Sequence, residues 1–503
     1  MARQSQMNIG DSVIFPIIRK QLKINFDGII DGSEYMWKRF CCYTKHEELL
    51  EECELPSFKQ LLGQSLNDRS GRYLMLISDS DSFIDYIERY LTRTTDNVRT
   101  LIGSQIADDL DNETYDYRVL MDVILYAEKP ITLIMRKMDK CYSSLYDLYN
   151  QSFSISGQKK YCRIALGLLY HPKCLINDKF YCIVLVNSKD VEKSDPPFLN
   201  RFEKHTVDLK DLVEPLHWTT TQNLLLWLEE LLTIKTSAKH FVVLQHLFVN
   251  FSCDYICNLV IDSLESGIKE EDIMNHCKTL LIRVATSDLP LLLALKNDNE
   301  NEQLIEQYYS IKSQSTLANM FENSTTLINR QVIYTYTQIY DNVNYPPTNH
   351  IKIDEVKFAN FKSEIELVNK LKQHYQSETT TQTHLLIIRV DCYNDRNHIL
   401  SLKHNIINIH NEFIKNIKKH IWIIFHLQRN TLSQLNNDVL FNSWSCTMIE
   451  NLNDAEQKQI LSYEIFQQPS YQYLIQHTLF HPKFYDLFDE CLSKFRYNIP
   501  HTT

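Results

Sequence analysis

Glycine is nearly missing from this chain: nine residues in 503, against a usual share of roughly 7%. None of the nine precedes a lysine, so the glycine-rich turn that wraps nucleotide phosphates in backbone N–H groups ahead of Lys-Ser or Lys-Thr is not encoded. The same scarcity disfavours hairpin-rich sandwiches and flexible linkers, and favours a helix-rich α/β protein. No Cys-x-x-Cys pair occurs among the 13 cysteines, which removes the repeated pairs of a RING-type zinc site. Cys41, Cys42, Cys253, Cys257 and the rest read instead as reduced, partly buried small hydrophobes. Nucleophilic catalysis finds no Gly-x-Ser-x-Gly elbow and no cysteine set beside a histidine in a motif. The longest apolar runs, 180–186 and 289–295, are far short of the ~20 residues a membrane span requires. No cationic, apolar leader opens the chain, so a cytoplasmic protein is expected. Basic residues are scattered within a net charge of −11, so no nucleic-acid surface is expected. The most basic local feature, Lys415, Lys418 and Lys419, reads as the wet face of an amphipathic helix.

What is present is ample core material, 44% apolar and 11% aromatic, in a chain long enough for roughly three units of ~150 residues. Residues 1–65 read as a helical lead-in. From 66 to 210, short apolar runs alternate with longer amphipathic ones, the pattern of βα units around a parallel sheet. Strands are expected at 73–77, 99–103, 131–135 and 180–186, with helices at 82–91 and 117–126. Between 211 and 325 the strand signal fades into successive helices, at 220–233, 242–263, 270–286 and 302–321, forming a helical lid. Strand-like runs return between 326 and 453, at 332–337, 385–390, 421–426 and 446–449, with helices at 361–375 and 399–417. The stretch 340–349, with Pro346-Pro347, is expected to turn from a strand into its helix. A helical tail occupies 454–503. The fold class is therefore α/β with helical subdomains: two AAA+-like modules, each a parallel sheet, the first followed by a helical lid, and both degenerate in the nucleotide chemistry.

The degeneracy follows from the strand ends. Where a phosphate loop would follow the first strand stands Ser78-Asp79-Ser80-Asp81-Ser82, whose carboxylates repel a triphosphate. The strand at 131–135, in the place of a Walker B strand that must end in an acidic pair to seat Mg²⁺, ends in Arg136-Lys137-Met138-Asp139. In the second module the corresponding strand is expected at 421–425, ending in His426-Leu427-Gln428-Arg429. No catalytic, nucleotide-binding or metal-ligating residue is assigned. Asn187, after the strand at 180–186, and Arg201, in Phe198-Leu199-Asn200-Arg201-Phe202, stand where AAA+ proteins place a sensor residue and an arginine finger. A guanidinium suits the latter work because it is always charged and grips phosphate with a planar fork. The favoured alternative is that Arg201 simply pairs with a neighbouring carboxylate and orders its turn. The echo of His171-Pro172-Lys173 in His481-Pro482-Lys483 is chance or turn chemistry.

Several of these segments together resemble a family. The run Ser144 to Gln151, then Gly157-Gln158-Lys159-Lys160-Tyr161, His171-Pro172, Lys189-Asp190-Val191 and Phe198 to His205, is similar in order and spacing to one stretch of the mysterin-type giant RING-finger E3 ubiquitin ligases. Leu280 to Asp288, Leu385 to Asp391 and Trp444 to Leu452 continue the likeness in the same order. Members of that family have a dynein-like wheel of AAA+ units, of which only some hydrolyse ATP, followed by a module that transfers ubiquitin. The resemblance places this chain among the later, degenerate units. It implies a non-hydrolysing scaffold that couples ATPase units to ubiquitin transfer, with other AAA+ units, the ligase module and, indirectly, an E2 as partners. It carries over Asn187 and Arg201 as sensor-like and finger-like positions only. ATP with Mg²⁺ and zinc are implied for other parts of the family, and no cofactor for this chain. The alternative is that the chain itself takes part in ubiquitin transfer, through an unrecognised site or as part of a larger ATPase and ligase.

Overall fold

The computed structural model describes residues 9–453 except 29–31, 45–49, 51–56, 68–70, 95–96, 168–169, 209–212, 214, 233–243, 250, 295–298, 315–316, 323–328, 347–349, 378–382, 414–418, 429–440 and 442–443. Expectations for the tail 454–503, for His481-Pro482-Lys483, and for Lys415, Lys418 and Arg429 lie outside the described residues. The chain divides into two compact units. The first comprises Met1–Glu214, Lys362–Asn369 and Asn397–Glu412; the second comprises Pro215–Phe361, Lys370–Arg396 and Phe413–Thr503.

In the first unit the apolar runs become strands β1 (Leu74–Ile77), β2 (Val98–Ile102) and β3 (Thr132–Arg136). An antiparallel sheet follows, made of β4 (Ser154–Ser156), β5 (Lys159–Arg163) and β6 (Lys173–Ile176), and then come β7 (Tyr181–Val186) and β8 (Glu203–Thr206). The parallel sheet has the order β2-β3-β7-β1-β8. Its central strands β1, β3 and β7 are buried at every residue, which is why β1 and β7, and the centre of β3, read as apolar runs and do not alternate. The first strand therefore lies inside the sheet, between β7 and β8, with its carboxyl end facing the crevice where α/β sheets bind ligands.

The helix Glu113–Ala127 starts at its cap. Asn112 accepts hydrogen bonds from the amides of Thr114 and Tyr115, starting the helix Glu113–Ala127 four residues before the first apolar position of the expected one. In the lead-in, Phe15, Trp37 and Cys41 form a small core between the helices Ile9–Phe26 and Gly32–Thr44. Asp27 follows that first helix, and its Oδ2 accepts from the amide of Thr206 at 2.6 Å, so the free edge of β8 is covered. The helix Ile399–Glu412, which lies between two strands of the second sheet in sequence, packs in the first unit. It buries Leu400, Leu402, Ile406 and Ile409, and Asn408 donates to the carbonyl of Thr100 on β2 at 2.9 Å. Lys403 reaches both carboxylate oxygens of Asp85, with side chains 2% and 8% exposed.

In the second unit the helices Pro215–Leu232, Cys253–Glu265, Glu270–Arg283, Asp288–Ala294 and Asn299–Gln314 close around Leu224, Leu228, Phe248, Val260, Leu281 and Leu292. The helix expected over 242–263 is two pieces, Leu244–Leu247 and Cys253–Glu265, because Ser252 caps the second by accepting from the amide of Tyr255 at 3.0 Å. A second parallel sheet follows: β9 (Arg330–Thr335), β10 (Ile351–Lys357), β11 (Thr383–Asp391), β12 (Lys419–His426) and β13 (Ser445–Met448), in the order β10-β11-β12-β9-β13. This repeats the order of the first sheet, with β9 in the place of β1. Lys419 is buried at the start of β12, with Nζ donating to Ser377 Oγ, so it is not on a wet helical face: the strand takes it into the sheet, where a hydroxyl accepts a hydrogen bond from its ammonium. The stretch 340–349 likewise leads from strand β9 to strand β10, with no helix among the described residues between them. Among the described residues no helix is long and apolar enough to cross a membrane.

Candidate nucleotide site

The loop after β1 closes on itself. The amide of Ser78 donates to the carbonyl of Val186 at 3.0 Å. Ser80 donates its amide to Ser78 Oγ at 3.4 Å, and Ser82 its amide to Ser80 Oγ at 3.2 Å. The first amides of the helix Phe83–Thr94, those of Phe83 and Ile84, go to the carbonyls of Ser80 and Asp81. Four backbone donors of the kind that a phosphate loop points at its ligand, those of Ser80, Ser82, Phe83 and Ile84, are thus spent on serine hydroxyls and carbonyls of the same turn.

Across from this loop, β3 delivers a cation. Arg136 places Nε and Nη2 each 2.8 Å from Asp81 Oδ1, and Lys137 Nζ stands 3.3 Å from Oδ2. The side chains of Arg136 and Asp81 are only 7% and 12% exposed, and Arg136 Nη1 also donates to the carbonyl of Leu185 at 3.4 Å. A hydrolysing site has a cation on the first loop and an acid on the third strand; here the two signs are exchanged and neutralise one another. Gly103, after β2, makes this strand end possible. Its amide donates to the carbonyl of Arg136 at 2.9 Å, and a Cβ at this position would lie 1.7 Å from the carbonyl oxygen of Lys137. Lys137 itself adopts φ 56°, a left-handed conformation unusual for a side chain of its kind.

Asn187 and Arg201 stand at opposite ends of the sheet. Asn187 follows β7 at the same end as the 78–82 loop, half-buried, and its Oδ1 accepts from the amide of Lys189 at 3.0 Å, capping the short helix Ser188–Val191. Arg201 precedes β8, whose Glu203 pairs with Leu74 at the amino end of β1, about 10 Å of strand away from the loop. Its guanidinium lies 3.8 Å above the ring of Tyr146 and donates to the carbonyl of Pro197, while the Tyr146 hydroxyl donates to Asp195 at 3.0 Å. Burial, and then Asp195, push that phenol above its ordinary range. Phe198 stacks on Tyr142 at 4.9 Å and Phe202 packs on Tyr149 at 4.8 Å, so an aromatic cluster fixes the turn in which Arg201 sits.

The second sheet corrects one expectation. The strand in the Walker B place is β11 and not the run 421–425, because β12 lies between β11 and β9 as β7 lies between β3 and β1. Each first strand supplies a matching carbonyl to the last strand, Ile77 to the amide of Val207 and Tyr334 to that of Ile449. One residue before these, Leu76 pairs with Leu185 and Leu185 with Arg136; likewise Ile333 pairs with Ile424 and Ile424 with Arg389. Arg136 and Arg389 therefore occupy the same register position in the two sheets, and by the same count His426 matches Asn187.

Arg389 also turns onto the segment after the first strand of its sheet. Its side chain is 2% exposed. Nη2 donates to the carbonyl of Gln338 at 3.1 Å, and Nη1 to the carbonyl of Asp341 and to Glu355 Oε1, both at 3.0 Å. Nε donates to His426 Nε2 at 2.9 Å, and His426 Nδ1 lies 2.6 Å from the carbonyl of Thr337. Since Nε2 must accept, the imidazole is the neutral Nδ1–H tautomer, and burial lowers it to about 4. The strand ends in an acid, Asp391, but its oxygens accept from the amide of Tyr393 at 3.0 Å and from Asn394 Nδ2 at 2.8 Å. Asp395, which burial pushes up to about 6, accepts from the amide of Asp391. In the first sheet the residues present do not suit Mg·ATP: the amides of Ser80, Ser82, Phe83 and Ile84 are taken up within the loop, and an arginine stands at the third-strand end in both sheets. Burial raises the thiols of Cys141, Cys162 and Cys257 to about 12, which disfavours their thiolate forms. Among the described residues, no three side chains of the metal-ligating kinds converge.

The likeness to known proteins includes the first sheet. Residues 63–213 match the family model described as the RNF213 AAA domain. The E3 ubiquitin-protein ligase RNF213 of Mus musculus is 22% identical over 305 residues, covering 58% of this chain and 6% of that protein. Its Homo sapiens counterpart is 23% identical over 288 residues, 54% of this chain and 6% of the other. The ligase rnf213-beta of Danio rerio is 25% identical over 240 residues, 46% of this chain and 5% of the other. The chain thus spans about a twentieth of the length of these relatives. Residues 63–213 are thus similar to an RNF213 AAA domain, and the chain is similar to one segment of the RNF213 ligases.

Proposed function

We propose that this chain is a scaffold segment of mysterin-like E3 ubiquitin ligase machinery, whose α/β modules neither bind nor hydrolyse ATP and connect active ATPase units to the ubiquitin-transfer module. One observation carries the reading: the Asp81–Arg136 ion pair stands where a phosphate-loop cation and a magnesium-seating acid would have to face each other. The equivalent Arg389 supports it, since the same register position is cationic in the second sheet. Two such substitutions remove the electrostatic work of phosphoryl transfer and leave a rigid frame. The partners on this reading are neighbouring AAA+ units and the ligase module of the same family, with an E2 engaged only through them, in the cytoplasm. Arg201 then serves to order its turn, and acts across a boundary only by leaving Tyr146. Titration of the purified chain with a fluorescent ATP analogue and Mg²⁺ tests the reading. No saturable binding is expected, and micromolar, Mg²⁺-dependent binding overturns it.

A further inference from the structure

No carboxylate side chain lies between Asp147 and Asp178, in a chain with 63 acidic and 52 basic residues. That stretch supplies the antiparallel sheet β4-β5-β6, and its pairing fixes two faces. Cys162, Cys174 and Ile176 are buried on one side. Alternation places Lys159, Tyr161 and Arg163 of β5 on the other, with their partners Leu175 and Lys173 of β6. Lys159, Arg163 and Lys173 are exposed, and Tyr161 and Leu175, which pair directly, are half-buried. Arg163 stands directly opposite Lys173. Like charges in such a cross-strand pair are destabilising. Lys160, on the opposite side of β5, is paired with Asp178 at 3.0 Å, whereas among the described residues no carboxylate comes within ion-pair distance of Lys159, Arg163 or Lys173. The fold alone gives no reason for this arrangement, which a ligand of negative charge would relieve.

We infer that the outer face of this sheet docks an acidic polypeptide segment, its carboxylates set against Lys159, Arg163 and Lys173 and an apolar side chain against Tyr161 and Leu175. A short polypeptide suits the surface better than a nucleic acid. The cations are few and flank an apolar centre, and a molecule of net charge −11 repels a long polyanion whose affinity rests on many phosphate contacts. The inference is independent of the nucleotide chemistry of the parallel sheet.

The test is fluorescence anisotropy of the full chain with a labelled Glu/Asp peptide carrying one central Leu, alongside a single-stranded oligonucleotide of equal charge. The chain is expected to bind the peptide, more weakly as salt shortens the Debye length to ~8 Å. K159Q/R163Q/K173Q is expected to bind about tenfold more weakly or worse, the loss of a few charged contacts, while the control K189Q/K193Q binds as the parent does. The single variant Arg163→Gln, which removes only the like-charge opposition, is expected to melt no lower than the parent while losing part of the affinity. A parent that does not bind the peptide, a triple variant that binds it unchanged, or an oligonucleotide that displaces it overturns the inference.

Discussion

His426 illustrates how a single buried group sets a pH response. Its ring accepts from Arg389 and is lowered from 6.5 to about 4 by burial. In the unfolded chain the imidazole takes up a proton below its ordinary value, and in the folded chain only near 4. The unfolded state therefore binds more protons between these values, and stability falls as pH drops from 6.5 toward 4 and is flat for this group above 6.5. His374, also lowered to about 4 by burial, adds a second contribution of the same sign. Urea unfolding across this range is expected to show that loss, and His426→Asn to reduce the slope by the part owed to one proton. Lys403 and Asp85 give the second expectation at this scale. Lys403→Met leaves the Asp85 carboxylate buried without its cation and is expected to cost about 3–5 kcal/mol. Adding Asp85→Leu is expected to recover most of it, because what is lost is mainly the penalty of an unpaired charge. Denaturant titration of the two variants checks this, and equal stability of the single and double variants contradicts it. Neither pair was readable in the sequence, since nothing local links position 85 to 403 or 389 to 426.

Among elements, the strands that were legible are those buried on both faces. Residues 73–77 and 180–186 are uninterrupted apolar runs, and 131–135 is broken only by Thr132, because each side of the sheet is covered, and β1, β3 and β7 lie there. The strands that were not legible carry polar residues for tertiary reasons. Lys204 of β8 is buried because Nζ donates to the carbonyls of Leu199 and Phe202, at 3.0 and 3.3 Å, and burial lowers it to about 8. In β10, Ile351–Lys357, only the first residue is buried, so no apolar run announces it. The start of the helix Glu113–Ala127 follows its cap, and Asn112→Ala is expected to cost ~1 kcal/mol through the lost acceptor for the amides of Thr114 and Tyr115. Gly103→Ala should cost more, at least ~1–3 kcal/mol, because its Cβ meets a backbone carbonyl that cannot rotate away. Thermal melts of both variants rank them, and an unchanged midpoint for Gly103→Ala removes the steric argument.

For the whole molecule, the proposed scaffold role predicts that the purified chain with E1, E2, ubiquitin and ATP forms no ubiquitin conjugates of its own. Conjugates that vanish on replacement of one cysteine would instead point to transfer by this chain. What the sequence determined by itself was the presence of two parallel-sheet segments and the loss of the phosphate loop, since doubly buried strands and glycine-lysine turns leave marks within a few residues. Only the tertiary structure decided which strand stands third in the second sheet, and that Arg136 and Arg389 share one position, because strand order and register are settled by contacts between distant residues. The meeting of Asp81 with Arg136 is of the same kind: each residue alone showed only an unexpected charge, and only their approach at 2.8 Å showed that the two charges pair.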